Sequence, residues 1–186
     1  MMTQPDFRSA NPTQAAGWVI GQFGVERPPV DVRRAAESLG FRVQELGDLG
    51  DDVSGAFVSR PDGGVIAVNR NHHLVRRRFT IAHELGHGLL HRGRMPLFVD
   101  KGYAVAFRDR QSATGEVRME REANAFAAAL LMPEGMVRTA ADELAWAHGL
   151  DAGGGGGALR ELARRFKVSQ EAMSYRLGSL GVFLEP

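Results

Sequence analysis

Apolar side chains recur every three or four residues along much of the chain, which is the spacing of one face of an α-helix. The clearest case is the segment 72–91, where an apolar stripe of valine, phenylalanine, alanine and leucine runs beside a polar stripe that contains three histidines. The predicted helices cover residues 12–24, 30–39, 72–91, 120–131 and 134–148, and a further pair lies within 159–180. Asp31 is the predicted cap of the helix at 30–39, and Ser169 is the predicted cap of the last helix.

Three short segments between the second and third of these helices have the composition of β-strands. Residues 41–43 alternate apolar and polar side chains, and residues 55–59 and 64–68 flank a Pro-Asp-Gly turn sequence. We therefore predict an α+β fold in which a small antiparallel sheet of about three strands packs on the helix at 72–91.

A run of five consecutive glycines at 153–157 interrupts these patterns. Glycine destabilises both helices and strands, so we predict a flexible connector there. On this basis residues 1–150 form one domain, and residues 158–186 form a helical tail that resembles a helix-turn-helix. Residues 93–117 show no clear period and are predicted to form a loop within the first domain.

The composition limits the chemistry that the chain can carry. It contains no cysteine, so a metal site would have to be built from histidine, aspartate and glutamate. Its net charge of +1 gives no overall attraction to nucleic acid. Neither a secretory signal nor an apolar run of about 20 residues is present, so we expect a cytoplasmic protein without a membrane span.

The sequence His-Glu-Leu-Gly-His at 83–87 lies on the polar stripe of the third helix. Histidines four apart on a helix project from one face, so both imidazoles can bind one zinc ion, and Glu84 can take a proton from a water on that ion. This arrangement predicts hydrolysis of a peptide bond. The other interpretation is a surface helix that carries the pattern by chance. Gly86 and Gly88 each cost about 1 kcal/mol relative to alanine in a helix, which indicates that another element packs closely there.

A catalytic zinc site needs a third protein ligand besides His83 and His87. The second long helix supplies candidates, because Glu120 and Asn124 lie four apart on one face, whereas Glu122 lies roughly on the other. We favour Glu120 as the ligand and keep Glu122 as the alternative. Asn124 would then hydrogen-bond a ligand histidine.

His91 extends the histidine face by one more turn, which is too far for the same ion on a straight helix. It is expected to hydrogen-bond a ligand or simply to end the helix. The remaining histidines have no partner pattern and are expected at the surface; they are His72, His73 and His148.

The segments 78–91 and 120–133 resemble the ImmA/IrrE family of metallopeptidases. The resemblance covers most of the chain, and we expect a zincin-like fold that holds one zinc ion. It implies site-specific cleavage of a helix-turn-helix (XRE-type) transcriptional repressor, in mobile-element or stress regulation. By the same resemblance, the site residues are the metal ligands His83, His87 and Glu120 and the catalytic residue Glu84.

Two alternatives remain for the function. Residues 159–180 could form a DNA-binding helix-turn-helix, but they carry few basic residues, so we do not expect direct binding of nucleic acid. The chain could also be a zinc-binding, DNA-associated regulatory protein without peptidase activity, although such a protein would not need Glu84. A protein substrate is expected to add as a strand along an exposed sheet edge at 65–69.

Overall fold

The structure of the chain is a computed structural model that describes residues 5–8, 10–50, 52–60, 63–93, 97–100, 115–148 and 156–182. Within these ranges the fold is α+β, with seven helices and one mixed sheet of four strands. In chain order the elements are α1 (Pro12–Phe23), α2 (Val32–Ser38), β1 (Phe41–Leu46), β2 (Gly55–Arg60), β3 (Gly63–Asn69), α3 (Leu74–Leu90), β4 (Leu97–Asp100), α4 (Gly115–Leu131), α5 (Glu134–His148), α6 (Gly156–Phe166) and α7 (Gln170–Leu180).

Side-chain caps fix where several helices begin. The carboxylate of Asp31 accepts a hydrogen bond from the backbone N–H of Arg34 at 3.0 Å, at the start of α2. The hydroxyl of Ser169 accepts one from the N–H of Ala172 at 3.0 Å, at the start of α7. Both caps were predicted from the sequence, and both are confirmed.

The sheet is mixed, so the prediction of an antiparallel sheet is wrong. The strand order is β1-β3-β2-β4, and β1 pairs with β3 in parallel, with Phe41 opposite Gly64 and Leu46 opposite Asn69. Only the β2–β3 and β2–β4 pairs are antiparallel. The alternation of apolar and polar residues indicates a strand but not its direction, which depends on the neighbour that the strand meets.

Two further sequence predictions about the sheet are wrong. The strand β4 lies within the segment 93–117 that was predicted as a loop, although residues 101–114 of that segment lie outside the described residues. The strand β3, which contains the predicted docking edge at 65–69, pairs on both sides and has no free edge. Among the described strands, the free edges belong to β1 and β4.

The helix α3 is the centre of the molecule. It packs against β2 and β3 on one side and against α4 on the other, and α1 covers α4. Residues 79–90 are therefore buried on both stripes, including the polar one. No helix among the described residues is long and apolar enough to span a bilayer.

Two glycines allow these close contacts on opposite sides of α3. A Cβ atom added at Gly86 would lie 3.2 Å from the Cα of Ala123 on α4. One added at Gly88 would lie 2.4 Å from the ring of Phe41 on β1. The prediction that these glycines indicate close packing is confirmed.

The two C-terminal helices pack against the rest of the chain. The side chains of Leu162, Phe166 and Met173 are fully buried in the common core. The guanidinium of Arg176 donates a hydrogen bond to the backbone oxygen of Met132, at the end of α4, at 2.9 Å. These contacts place α6 and α7 on the body of the molecule.

The helix α6 begins at Gly156, so Gly156 and Gly157 are helical, contrary to the prediction that no regular element would include the glycine run. Burial of apolar side chains farther along α6 stabilises the helix despite its glycine start. Residues 153–155 of the predicted connector at 153–157 lie outside the described residues. The division into a domain at 1–150 and a tail at 158–186 stays a prediction.

Candidate metal centre

Three donor atoms from two helices converge beside α3. The Nε2 atoms of His83 and His87 lie 3.0 Å apart. The carboxylate of Glu120 approaches them from α4, with Oε1 at 3.2 Å from His87 Nε2 and Oε2 at 3.3 Å from His83 Nε2. Among the residues that the structure describes, this is the one group of three histidine or carboxylate donors close enough to hold a metal ion.

The close packing of α3 on α4 brings these donors together. The two histidines are one turn apart on α3 and are 3% and 1% exposed. The α4 helix begins at Gly115, so Glu120 lies in its second turn and not at a solvated helix start. Because Gly86 lets Ala123 approach α3, a carboxylate one turn earlier on α4 can reach both imidazoles.

His83 is oriented by Asn124. The ring Nδ1 of His83 lies 3.0 Å from the Oδ1 of Asn124, one turn beyond Glu120 on α4. An amide oxygen can only accept, so His83 donates its Nδ1–H and keeps a lone pair on Nε2. The sequence placed Asn124 on the same helix face as Glu120, and the structure puts it in this contact.

His91 and Glu122 form a second layer around His87. The Nδ1 of His91 lies 3.1 Å from the Nδ1 of His87. On its other side, the Nε2 of His91 lies 2.9 Å from the Oε2 of Glu122. The sequence placed Glu122 on the other face of its helix from Glu120, so its contact with His91 was not predicted. The one signal for it was His91, one turn beyond His87 on the same face of α3.

The protonation of the donors suits a cation. Burial lowers the pKa of His87 to about 4, despite the opposing contact with Glu120, so the ring is neutral at neutral pH. Burial of the Glu120 carboxyl acts to raise its pKa, but contacts with His83 and His87 outweigh burial and lower it, so this group is ionised. In the metal-free chain these contacts need a hydrogen on a ring Nε2; when the Nδ1 hydrogens are donated to Asn124 and His91 instead, both Nε2 atoms offer lone pairs.

Three lone-pair donors facing one another at 3.0 to 3.3 Å are unfavourable unless a cation lies between them. Ligands of a tetrahedral ion with metal–ligand distances near 2.05 Å are separated by about 3.3 Å. The three donors of this site therefore fit a divalent metal ion in both chemistry and spacing.

Glu84 follows His83 on α3 and is fully buried. The first residue of β2, Gly55, packs against it: a Cβ atom added at Gly55 would lie 2.4 Å from Thr80 Cγ2 and 3.7 Å from Glu84 Oε1. The hydroxyl of Thr80, one turn before Glu84, is buried without a hydrogen-bond partner among the described residues. The sequence analysis missed Gly55 and Thr80, because nothing in their local pattern shows that they meet.

The other histidines do not join the site. His73 caps α3, with its Nδ1 accepting from the N–H of Val75 at 3.3 Å. His72 is half-buried in the preceding turn, which corrects its predicted surface position. The side chain of His148 lies outside the described residues.

Comparisons with known proteins agree with the predicted resemblance. A sequence model described as the IrrE N-terminal-like domain matches residues 36–178. The chain is 35% identical over 123 residues to the radiation response metalloprotease IrrE of Deinococcus radiodurans, covering 66% of this chain and 33% of that protein. A solved structure of a Mycobacterium tuberculosis transcriptional regulator has a similar fold, with a TM-score of 0.60 and 24% identity. That match covers 91% of this chain and 47% of the other, so the chain spans a third to a half of the length of these two proteins.

Proposed function

Because the chain belongs to the IrrE N-terminal-like family of metallopeptidases, we propose that it is a zinc-dependent endopeptidase. The observation that carries the proposal is the convergence of His83 Nε2, His87 Nε2 and the Glu120 carboxylate beside the buried Glu84. Two imidazoles and one carboxylate are a donor set of catalytic zinc sites, which keep a further position for water or substrate. Because the described residues contain one such group of donors, we propose one ion per chain.

We propose Glu84 as the general base, because it follows the ligand His83 on α3 and is fully buried. Its carboxylate would accept the proton of the attacking water and deliver it to the nitrogen of the leaving amine. A zinc ion held by His83, His87 and Glu120 would supply Lewis acidity, which lowers the pKa of water to about 7 and polarises the peptide carbonyl. Asn124 keeps His83 oriented during this cycle through the contact at 3.0 Å.

The substrate strand would lie along the free edge of β4. The register of the β2–β4 pair sets Asp100 opposite Gly55, which packs beside Thr80 and Glu84. An extended peptide that pairs with the outer edge of β4 would therefore run past the catalytic carboxylate, as in strand addition to other sheets. We propose on this basis that the fold is zincin-like, with a free sheet edge along which a substrate strand can lie.

The substrate that we propose is a helix-turn-helix (XRE-type) transcriptional repressor. The support is the family, together with a relative named for radiation response and a structural neighbour named as a transcriptional regulator. Cleavage of a repressor would relieve repression during stress or activation of a mobile element. A repressor substrate places the activity in the cytoplasm.

The alternative of a zinc-binding, DNA-associated protein without peptidase activity is less well supported. Basic side chains of α6 and α7 are engaged within the chain: Arg164 bonds Glu161 at 2.7 Å, Arg165 bonds Glu143 at 2.8 Å, and Arg176 bonds the backbone oxygen of Met132 at 2.9 Å. Cations held in this way contribute less to phosphate binding. The buried carboxylate of Glu84 has no evident purpose in a protein that only binds DNA.

Zinc content and cleavage measured on one Glu84→Gln preparation test the proposal. The substrate is the repressor encoded beside the gene, and Glu171→Gln, on the exposed side of α7, is the matched control. We expect Glu84→Gln to bind zinc as the unaltered chain does and to cleave the repressor at least about 10²–10⁴-fold more slowly. Cleavage near the original rate by zinc-loaded Glu84→Gln would exclude Glu84 as the base.

A further inference from the structure

We propose that His91 and Glu122 form a positioning relay that holds His87 in the one tautomer able to bind the metal ion. The inference rests on the proposed function, because it concerns a ligand of the proposed zinc site. It adds two residues that contact no substrate and no ion but determine which nitrogen of a ligand carries a proton.

The relay is a continuous chain of contacts from the site to the surface. The Nδ1 atoms of His87 and His91 lie 3.1 Å apart, and the Nε2 of His91 lies 2.9 Å from Glu122 Oε2. The Oε1 of Glu122 accepts a hydrogen bond from Arg118 Nε at 2.7 Å. The ring of His91 is 0% exposed, so water cannot replace these partners at its surface.

The carboxylate sets the direction of every proton in this chain. An ionised carboxylate can only accept, so the Nε2 of His91 must carry the hydrogen that bonds to Glu122. A neutral His91 then has a lone pair on Nδ1, which can only accept from His87. His87 must donate its Nδ1–H, and its Nε2 is left with the lone pair that a metal ligand requires.

Without the relay, the opposite tautomer of His87 would be favoured before metal binds. A hydrogen on His87 Nε2 would point towards two acceptors, His83 Nε2 at 3.0 Å and Glu120 Oε1 at 3.2 Å. In that tautomer the Nε2 of His87 would be engaged in hydrogen bonds within the site. Its hydrogen would have to move to Nδ1 before each ion could bind. The relay opposes this competing state, because it offers an acceptor on the other side of the ring.

The partners of the two ligand histidines differ in how firmly they set the tautomer. Asn124 presents an amide, which can rotate to offer either an oxygen or an N–H to His83. Glu122 has no such second state, so His91 and through it His87 are held in one arrangement. His87 is therefore the ligand whose protonation the fold determines most strictly.

The test compares two substitutions of His91 by their zinc affinity. His91→Phe fills the volume of the ring but removes the acceptor, whereas His91→Asn keeps an acceptor oxygen near the position of Nδ1. Affinity is measured by competition with a chromophoric chelator, and thermal unfolding of the metal-free chains reports folding separately. We expect His91→Phe to bind zinc about 10–100-fold more weakly, and His91→Asn to retain more of the affinity.

A role in packing alone predicts the reverse order. Phenylalanine would then be the milder change, because asparagine leaves both a cavity and a buried polar group. Equal zinc affinity for His91→Phe and the unaltered chain, or weaker binding by His91→Asn than by His91→Phe, would overturn the relay.

Glu122→Leu supplies a second test in case a change at the buried His91 prevents folding. Glu122 is partly exposed, so this variant keeps the core intact, and Glu171→Leu on α7 is its control. We expect Glu122→Leu to bind zinc more weakly than the unaltered chain and Glu171→Leu to bind it equally well. Equal zinc affinity for Glu122→Leu and the unaltered chain would contradict the relay. A chain that binds no zinc before any substitution would refute the proposed zinc site and the relay together, whereas zinc-loaded Glu84→Gln that still cleaves would refute only the proposed mechanism.

Discussion

Glu120 and Glu122 lie two positions apart on α4, and their carboxylates contact different histidines. Glu120 reaches the Nε2 atoms of both proposed ligands, whereas the histidine that Glu122 contacts is His91. At the scale of single residues, the function of each carboxylate therefore follows from its partner and not from its chemical type.

Glu120→Gln should weaken zinc binding more than Glu122→Gln does. The first change removes the negative charge of a ligand and so weakens its attraction for the ion directly. The second change disturbs only the relay behind His87. Zinc retained after dialysis against a chelator, measured by elemental analysis, gives the order. We expect Glu120→Gln to lose more zinc affinity than the factor of about 10–100 that is typical when a residue that hydrogen-bonds a ligand is changed. The opposite order would give the ligand position to Glu122.

The metal-free chain should lose stability as the pH falls from about 6.5 to about 4. A histidine in the unfolded chain has a pKa of about 6.5. Burial lowers the pKa of His87 in the folded chain to about 4, so in this window the unfolded chain binds the proton first and the free energy of unfolding decreases. The shift corresponds to about 3 kcal/mol.

Urea unfolding at several pH values measures this loss for the chain and for His87→Leu. Because leucine does not titrate, we expect a shallower decrease for the variant between pH 6.5 and 4. An identical slope for both proteins would show that His87 is not the group responsible.

At the scale of elements, β2 packs closely on α3 at Gly55. A methyl group there would meet Thr80 Cγ2 at 2.4 Å and the backbone oxygen of Ala67 at 2.7 Å. We expect Gly55→Ala to lower the free energy of unfolding by about 1–3 kcal/mol and to slow cleavage, since Glu84 lies next to the same contact. Chemical denaturation and the repressor assay check both effects.

Gly17→Ala is the matched control for this change. Gly17 lies on the exposed face of α1, with nothing within 4 Å of an added Cβ atom. Alanine in a helix is favoured over glycine by about 1 kcal/mol, so this variant should be slightly more stable than the chain. Equal changes in the free energy of unfolding for Gly55→Ala and Gly17→Ala would mean that β2 is not closely packed on α3 at Gly55.

At the scale of the whole molecule, α6 and α7 should be required for stability. Deletion of residues 159–186 would expose the part of the core that Leu162, Phe166 and Met173 cover, so we expect a lower melting temperature for the truncated chain. Leu162→Ala alone should cost about 2–5 kcal/mol. The exposed Arg160→Ala should stay within about 0.5 kcal/mol. An unchanged melting temperature after deletion would instead support a tail that folds apart from residues 1–150.

The helices and the core of the site were predictable from local spacing. His83 and His87 share a helix face because a helix repeats every 3.6 residues, whatever lies around it. The same reasoning gave the extent of α5 and the caps at Asp31 and Ser169, which depend on residues within one turn. Local spacing also placed Asn124 correctly, one turn from Glu120 on α4.

What the sequence by itself determined is therefore the α+β class and the pair of histidines with the glutamate between them. The tertiary structure decided that β1 runs parallel to β3, that Gly55 lies against Glu84, and that Glu120 and Glu122 divide their contacts between different histidines. These features join segments far apart in the chain. Periodicity reports only which side chains share a face of their own element, and contacts between elements depend on how closely their surfaces can pack.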